Sequence, residues 1–200
     1  MKTNRTRIQR LAVTAVLAAL VIVLQFFVSI PIGIFTITLT LVPIMIGAIL
    51  YGPATGAILG GIFGAVVSIQ VVTGAAGAIS FAMFEYVPVI TIALCMLKGI
   101  AAGFVSGLLY RVFERFEHKM LGTVLAAVAC PITNTGLFAV GMLIFYKTLL
   151  DQWAIEFAFA NAISFLMIGM IGLNFVVEFA INVALIPVVL RIITVVKKRF

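Results

Sequence analysis

The sequence predicts an all-α integral membrane protein: six transmembrane helices bundled into one domain over residues 1–200, with both termini in the cytoplasm. Three observations carry that prediction. The first is composition: 64% of the residues are hydrophobic and 10% charged, against roughly 45–50% and 25% in a soluble domain, and mean hydropathy is +1.34. The second is run length. The apolar stretches are long and continuous, as a spanning helix of about 20 residues requires, and lack the strict alternation of a membrane β-strand of about 10. The third is where the basic residues lie, at the ends of the apolar runs and not among aromatics on one face. The net charge of +7 is therefore no sign of nucleic acid. A soluble enzyme and a disordered tail are excluded on the same grounds.

The first span covers residues 8–29 and ends before Pro31 and Gly33. The basic start, with Lys2, Arg5, Arg7 and Arg10, superficially resembles a secretory signal. The apolar stretch that follows is too long for a signal core of 7–15 residues and lacks a small-residue cleavage site, so the span is expected to be retained. A short apolar link at residues 31–35 leads to span two, residues 36–50. Tyr51-Gly52-Pro53 reads as a tight turn. Span three covers residues 54–72, and the glycine- and alanine-rich segment 73–86 reads as a long loop or a re-entrant piece. Spans four and five cover residues 87–112 and 120–146, either side of a charged stretch at 111–119. Residues 147–161 read as a second polar-leaning loop. Span six covers 162–196, longer than one crossing needs, so tilt or protrusion is expected.

With six spans and an inside N-terminus, the inner segments hold Lys2, Arg5, Arg7, Arg10, Arg111, Arg115, Lys119, Arg191, Lys197, Lys198 and Arg199, eleven of the 13 basic residues. The outer segments hold only Lys147. The positive-inside rule then places both termini in the cytoplasm.

Small residues predict close helix contacts, because packing and not hydrophobicity drives association in lipid. Ala15 and Ala19 lie one turn apart on span one and suit either packing within the bundle or a docking face for a separate membrane subunit. Gly52, Gly56, Gly60 and Gly64 form an i, i+4 ladder on span three, matched by Gly99, Gly103 and Gly107 on span four. Two such ladders predict tight packing of these spans against each other or their neighbours.

Polar groups at membrane depth point to function. Lys98 lies thirteen residues before Arg111, ~20 Å along a helix, where a charge costs at least ~2.5–3.5 kcal/mol. Glu178 sits thirteen residues before Arg191, at matching depth. They either neutralise each other or face a ligand cavity, since intramembrane ionisable groups mark substrate or ion paths. Asn174 and Asn182 flank Glu178 by one turn each and share its face. Thr133-Asn134-Thr135 follows Pro131 in span five, where the missing amide donor loosens the helix. Spans four to six thus carry polar stripes and spans one to three almost none, which reads as a binding half and a packing half.

No enzyme constellation emerges. The single histidine, His118, is in the charged loop, no paired carboxylates or metal-ligand clusters occur, and Cys95 and Cys130 read as buried thiols. Neither a cofactor nor a metal is expected. The chain has no G-x-x-x-x-G-K-[ST] phosphate loop and so no ATPase machinery of that kind.

Taken together, these features resemble the substrate-binding membrane subunits, or S components, of energy-coupling factor vitamin transporters. The resemblance rests on the basic N-terminus with Ala15-x-x-x-Ala19, and on Leu41-Val42-Pro43-Ile44-Met45-Ile46-Gly47-Ala48 running into Tyr51-Gly52-Pro53 and the Gly56/Gly60/Gly64 ladder. It continues through Leu97-Lys98-Gly99-x-x-x-Gly103 and Cys130-Pro131-Ile132-Thr133-Asn134-Thr135-Gly136. It implies a six-helix bundle in the cell membrane that captures a vitamin near its outward face. A transmembrane coupling subunit and two cytoplasmic ATPase subunits would supply the energy. In such proteins the small residues of span one meet the coupling subunit, which maps onto Ala15 and Ala19. The ligand is held by loops one, three and five and by spans four to six, where Lys98, Asn134, Asn174 and Glu178 fall. Pantothenate-type members are most similar around Asn134, and a buried cation at Lys98 suits a carboxylate ligand; riboflavin and cobalamin members share much of the pattern. Two further classes remain, a small proton-coupled transporter using Glu178 and a structural membrane partner without ligand.

Overall fold

The computed structural model describes residues 2–27, 30–32, 35–37 and 39–199, with side chains for residues 7–27 and 39–195. The end expected for span one at Ser29, Gly33 of the link, and the side chains of Lys2, Arg5, Lys197, Lys198 and Arg199 lie outside that set. Among the described residues, the regular structure is helical apart from one small hairpin. Helix α1 (Lys2–Phe27) is followed by strands β1 (Ile30–Ile32) and β2 (Phe35–Ile37), antiparallel with Ile30 opposite Ile37. Then come α2 (Leu41–Tyr51), α3 (Pro53–Val72), α4 (Ala78–Tyr86), α5 (Pro88–Arg115), α6 (Lys119–Phe145) and α7 (Lys147–Glu156). The last stretch opens with the single turn α8 (Ala162–Ser164), passes through a π-helical segment (Phe165–Gly172), and continues as α9 (Leu173–Ala184) and α10 (Ile186–Arg199).

Among the described residues, five helices are long and apolar enough to cross a membrane: Arg7–Phe27, Pro53–Val72, Pro88–Arg115, Lys119–Phe145 and Ala162–Ala184. Helix α2 has 11 residues, ~16 Å of rise. Four expectations are corrected. Residues 36–50 are not one helix, because Phe35–Ile37 pairs in the hairpin and helix starts at Leu41. Segment 73–86 is a turn with Gly74 and Gly77 at positive φ, followed by α4, not a long loop. Segment 147–161 is mostly α7, supported on its surface by Lys147 Nζ donating to Asp151 Oδ2 at 3.2 Å one turn on. Residues 162–196 are not one continuous helix but break at Leu185. Pro187 is the second residue of α10, where its ring and missing N–H disrupt the preceding turn.

Glycine spacing builds the centre of the bundle. Helices α3 and α5 pack antiparallel so closely that a Cβ on Gly56 would strike the Gly103 carbonyl, and one on Gly60 the Gly99 carbonyl. A Cβ on Gly64 would lie 2.7 Å from the Cys95 carbonyl oxygen. Such approach maximises dispersion where lipid removes the hydrophobic drive. The turn into α3 needs glycine twice over: Gly52 has φ +94 and the Arg111 guanidinium packs where its side chain would be. Arg10 ties α1 to this turn by donating to the Tyr51 carbonyl (3.1 Å) and Thr55 Oγ1 (2.9 Å).

Two apolar cores result. One, at the end of the bundle marked by Arg10 and Arg111, packs Leu17, Val21, Ile44, Met45, Leu59 and Tyr110 with Ile186 and Val189 of α10. The other, at the opposite end, packs Met83, Leu94, Met142, Trp153 and Phe165. Between them the helices do not close, and the gap is the site.

Candidate functional site

A cavity of about 190 Å³ separates the two cores. Helix α5 contributes Thr91, Cys95 and Lys98, α6 contributes Asn134, Thr135 and Phe138, and α9 contributes Asn174 and Glu178. Phe63, Val67 and Gln70 of α3 form the facing wall with Gln25 of α1. The turn residues Ala75 and Ala76 and the α4 residues Ile79, Ser80 and Met83 cover it, so the segment expected as loop forms the roof.

All four residues singled out for binding, Lys98, Asn134, Asn174 and Glu178, line this one cavity. The Lys98 ammonium lies 5.0 Å from the centre of the Phe138 ring, a cation–π contact that eases its burial. Glu178 is buried in the α9 wall at 4% exposure. Asn134 is 7% exposed, and the Oδ1 atoms of Asn134 and Asn174 are buried without a hydrogen-bond partner. Buried amide oxygens are normally satisfied, so this wall keeps hydrogen-bonding capacity in hand. Asn182 behaves differently: its Nδ2 donates to the Glu178 carbonyl at 2.8 Å, and it does not line the cavity. A π-helical segment directly precedes Asn174 and supplies Met170 and Ile171 to the wall, as such segments often do near functional sites.

The division into binding and packing halves is corrected, since α1 and α3 also supply polar groups. Gln25 Nε2 donates to Gln70 Oε1 (2.8 Å), Gln70 Nε2 donates to the Gln25 carbonyl (3.1 Å), and Thr40 Oγ1 donates to Gln25 Oε1 (3.0 Å). The signal was present in the sequence, because a lone glutamine deep in an apolar span violates the same rule as Lys98. Thr91 anchors the roof. Its hydroxyl lies within hydrogen-bond reach of the Met83 and Val87 carbonyls (2.8 and 2.9 Å) and shares a 2.6 Å hydrogen bond with the Tyr146 hydroxyl.

Ala15 and Ala19 are far from this cavity. Helix α1 turns Leu17, Val21 and Gln25 inward, while Ala15 and Ala19 are exposed on the other side beside Val16 and Leu20. Packing within the bundle is therefore not their role. Ala18, next to them in sequence, faces the core.

A helical membrane bundle enclosing a small polar cavity with one cation defines a membrane protein that binds a small molecule. The chain belongs to the substrate-specific components of energy-coupling factor (ECF) transporters, a family whose pattern it matches over residues 9–190. This membership displaces the alternatives of a proton-coupled transporter using Glu178 and of a ligand-free partner, and its work is transport, not catalysis. The chain is 26% identical over 199 residues to the pantothenic acid transporter PanT of Lactococcus lactis subsp. cremoris (strain MG1363), covering 96% of both chains. Its fold is similar to that of ThiT from Listeria monocytogenes, with a TM-score of 0.61, 20% identity, and coverage of 92% of this chain and 96% of that one.

Proposed function

We propose that this substrate-specific component captures pantothenate for uptake across the cell membrane. The observation that carries the reading is Lys98, a cation at membrane depth on the wall of a small cavity that Asn134 and Asn174 also line. Such a site suits a carboxylate whose remaining groups accept and donate neutral hydrogen bonds. Size supports the same choice. A volume of about 190 Å³ is below the ~300–1,000 Å³ of sites for drug-sized ligands and disfavours cobalamin or riboflavin. The similarity to a pantothenic acid transporter adds to this.

In this reading the chain forms one membrane domain. Helix α2 with the hairpin before it makes the sixth crossing, and both termini are cytoplasmic, because the basic residues gather at one end of the bundle. The cavity, nearer the opposite end, then opens to the outside. Ala15 and Ala19 form the face for a transmembrane coupling subunit, which joins two cytoplasmic ATPases. Equilibrium binding of pantothenate, thiamin, riboflavin and cobalamin to the purified chain tests the choice of ligand. Pantothenate is expected to bind at least a hundredfold more tightly than the others, and a preference for any other vitamin refutes the reading.

A further inference from the structure

We propose that Gln70, held by Gln25, is the second recognition point of the cavity and reads the hydroxyl end of a ligand whose carboxylate meets Lys98. The inference rests on the pantothenate reading above. Helix register gives the geometry. On α3 and α5, Gly56 faces Gly103, Gly60 faces Gly99 and Gly64 faces Cys95. Continuing this antiparallel register puts Gly61 level with Lys98 and Gln70 level with Val89. Nine residues separate the two levels on α3, ~13–14 Å along the axis.

The Lys98 ammonium stays near its own level. Gly122 meets Phe113 and Gly141 meets Leu94 across α5 and α6, so Phe138 is level with Leu97, and the ammonium lies over that ring. The cavity therefore has a cationic end at Lys98 and an amide end at Gln70, under the roof that carries Ser80. Pantothenate has nine bonds between a carboxylate oxygen and its terminal hydroxyl, ~10–11 Å when extended at backbone-like spacing. A hydrogen bond of ~3 Å at each end brings its full reach to ~16–17 Å, enough to span the two levels with the ligand inclined or partly folded.

Gln70 is prepared for that contact. It is 8% exposed and lines the cavity. Its Oε1 accepts from Gln25, and one of its two Nε2 protons goes to the Gln25 carbonyl. The second N–H remains for a ligand oxygen. The Gln25 contacts and the Thr40 bond behind them fix the amide's orientation, so little rotamer freedom is lost on binding.

The test compares pantothenate with its analogue lacking the terminal hydroxyl, by equilibrium binding to the full chain. The unmodified protein should prefer pantothenate by tenfold or more, since a buried donor left unpaired discriminates strongly. In Gln70→Met, which keeps the length and removes the amide, that preference should fall to within about twofold. Equal binding of the two compounds by the unmodified protein overturns the inference without any variant. A preference that survives in Gln70→Met overturns it as well. If the unmodified protein binds neither compound, the pantothenate reading fails, and this inference falls with it.

Discussion

Lys98 is the side chain whose placement most constrains the ligand. A lysine locked to a buried carboxylate would be structural, and its loss would strand the partner at ~3–5 kcal/mol. Here the ammonium rests on Phe138, an interaction of ~0.5–2 kcal/mol. Lys98→Met should therefore shift thermal stability by no more than about 2 kcal/mol while weakening carboxylate binding by ~1.5–3 kcal/mol, the range for hydrogen bonds to charged groups. Calorimetry beside a thermal melt measures both. A large stability loss would instead identify Lys98 as a structural group. Asn134 is next in weight, because its Oδ1 is buried without a partner in the cavity wall. Asn134→Ala should weaken binding by ~1–3 kcal/mol and leave the fold in place, as should Asn174→Ala. Unchanged affinity in both variants would remove the α6–α9 wall from the site.

At the scale of elements, the glycine ladders and the outer face of α1 make separate predictions. A side chain on Gly60 would collide with the backbone of Gly99, and backbone cannot move aside as a flexible side chain can. Gly60→Val should destabilise the protein by ~1–3 kcal/mol through overpacking. Gly136→Ala, where nothing lies within 4 Å, should be neutral or mildly stabilising. Melting temperatures of the pair read out whether the α3–α5 seam holds the bundle. Ala15→Trp with Ala19→Trp lies on an exposed surface, so it should abolish co-purification of the coupling subunit and leave ligand binding intact; an unimpaired pull-down would clear that face. These elements were legible because spacing carried them. Ladders of small residues marked spans three and four for close contact, and long apolar runs located the main membrane-crossing helices. The hairpin, α4, α7 and the π-helical segment were not legible. Hydropathy near a membrane surface separates short interfacial helices poorly from loops, and a π-helical segment depends on tertiary packing that no local spacing records. Gln25 and Gln70 were each legible as polar groups in apolar spans, but their mutual hydrogen bonds exist only once α1 and α3 pack together.

For the whole molecule, the account makes the two ends of the bundle chemically distinct. Arg10 and Arg111 mark one end, and the cavity lies toward the other beneath α4. Single cysteines introduced at Ala75 and Gln152, after Cys95 and Cys130 are replaced, should react with an impermeant reagent on intact cells. One at Glu117 should react only after lysis. External labelling at position 117 would invert the topology. The central claim is that a solitary chain holds a small carboxylate vitamin in the cavity between its two cores. Native mass spectrometry of the purified chain, released from detergent after incubation with an equimolar mixture of B vitamins, tests it most directly. The account predicts a single adduct with the mass of one pantothenate, lost in Lys98→Met. An adduct of thiamin, riboflavin or cobalamin, or a protein that stays unliganded throughout, would contradict it.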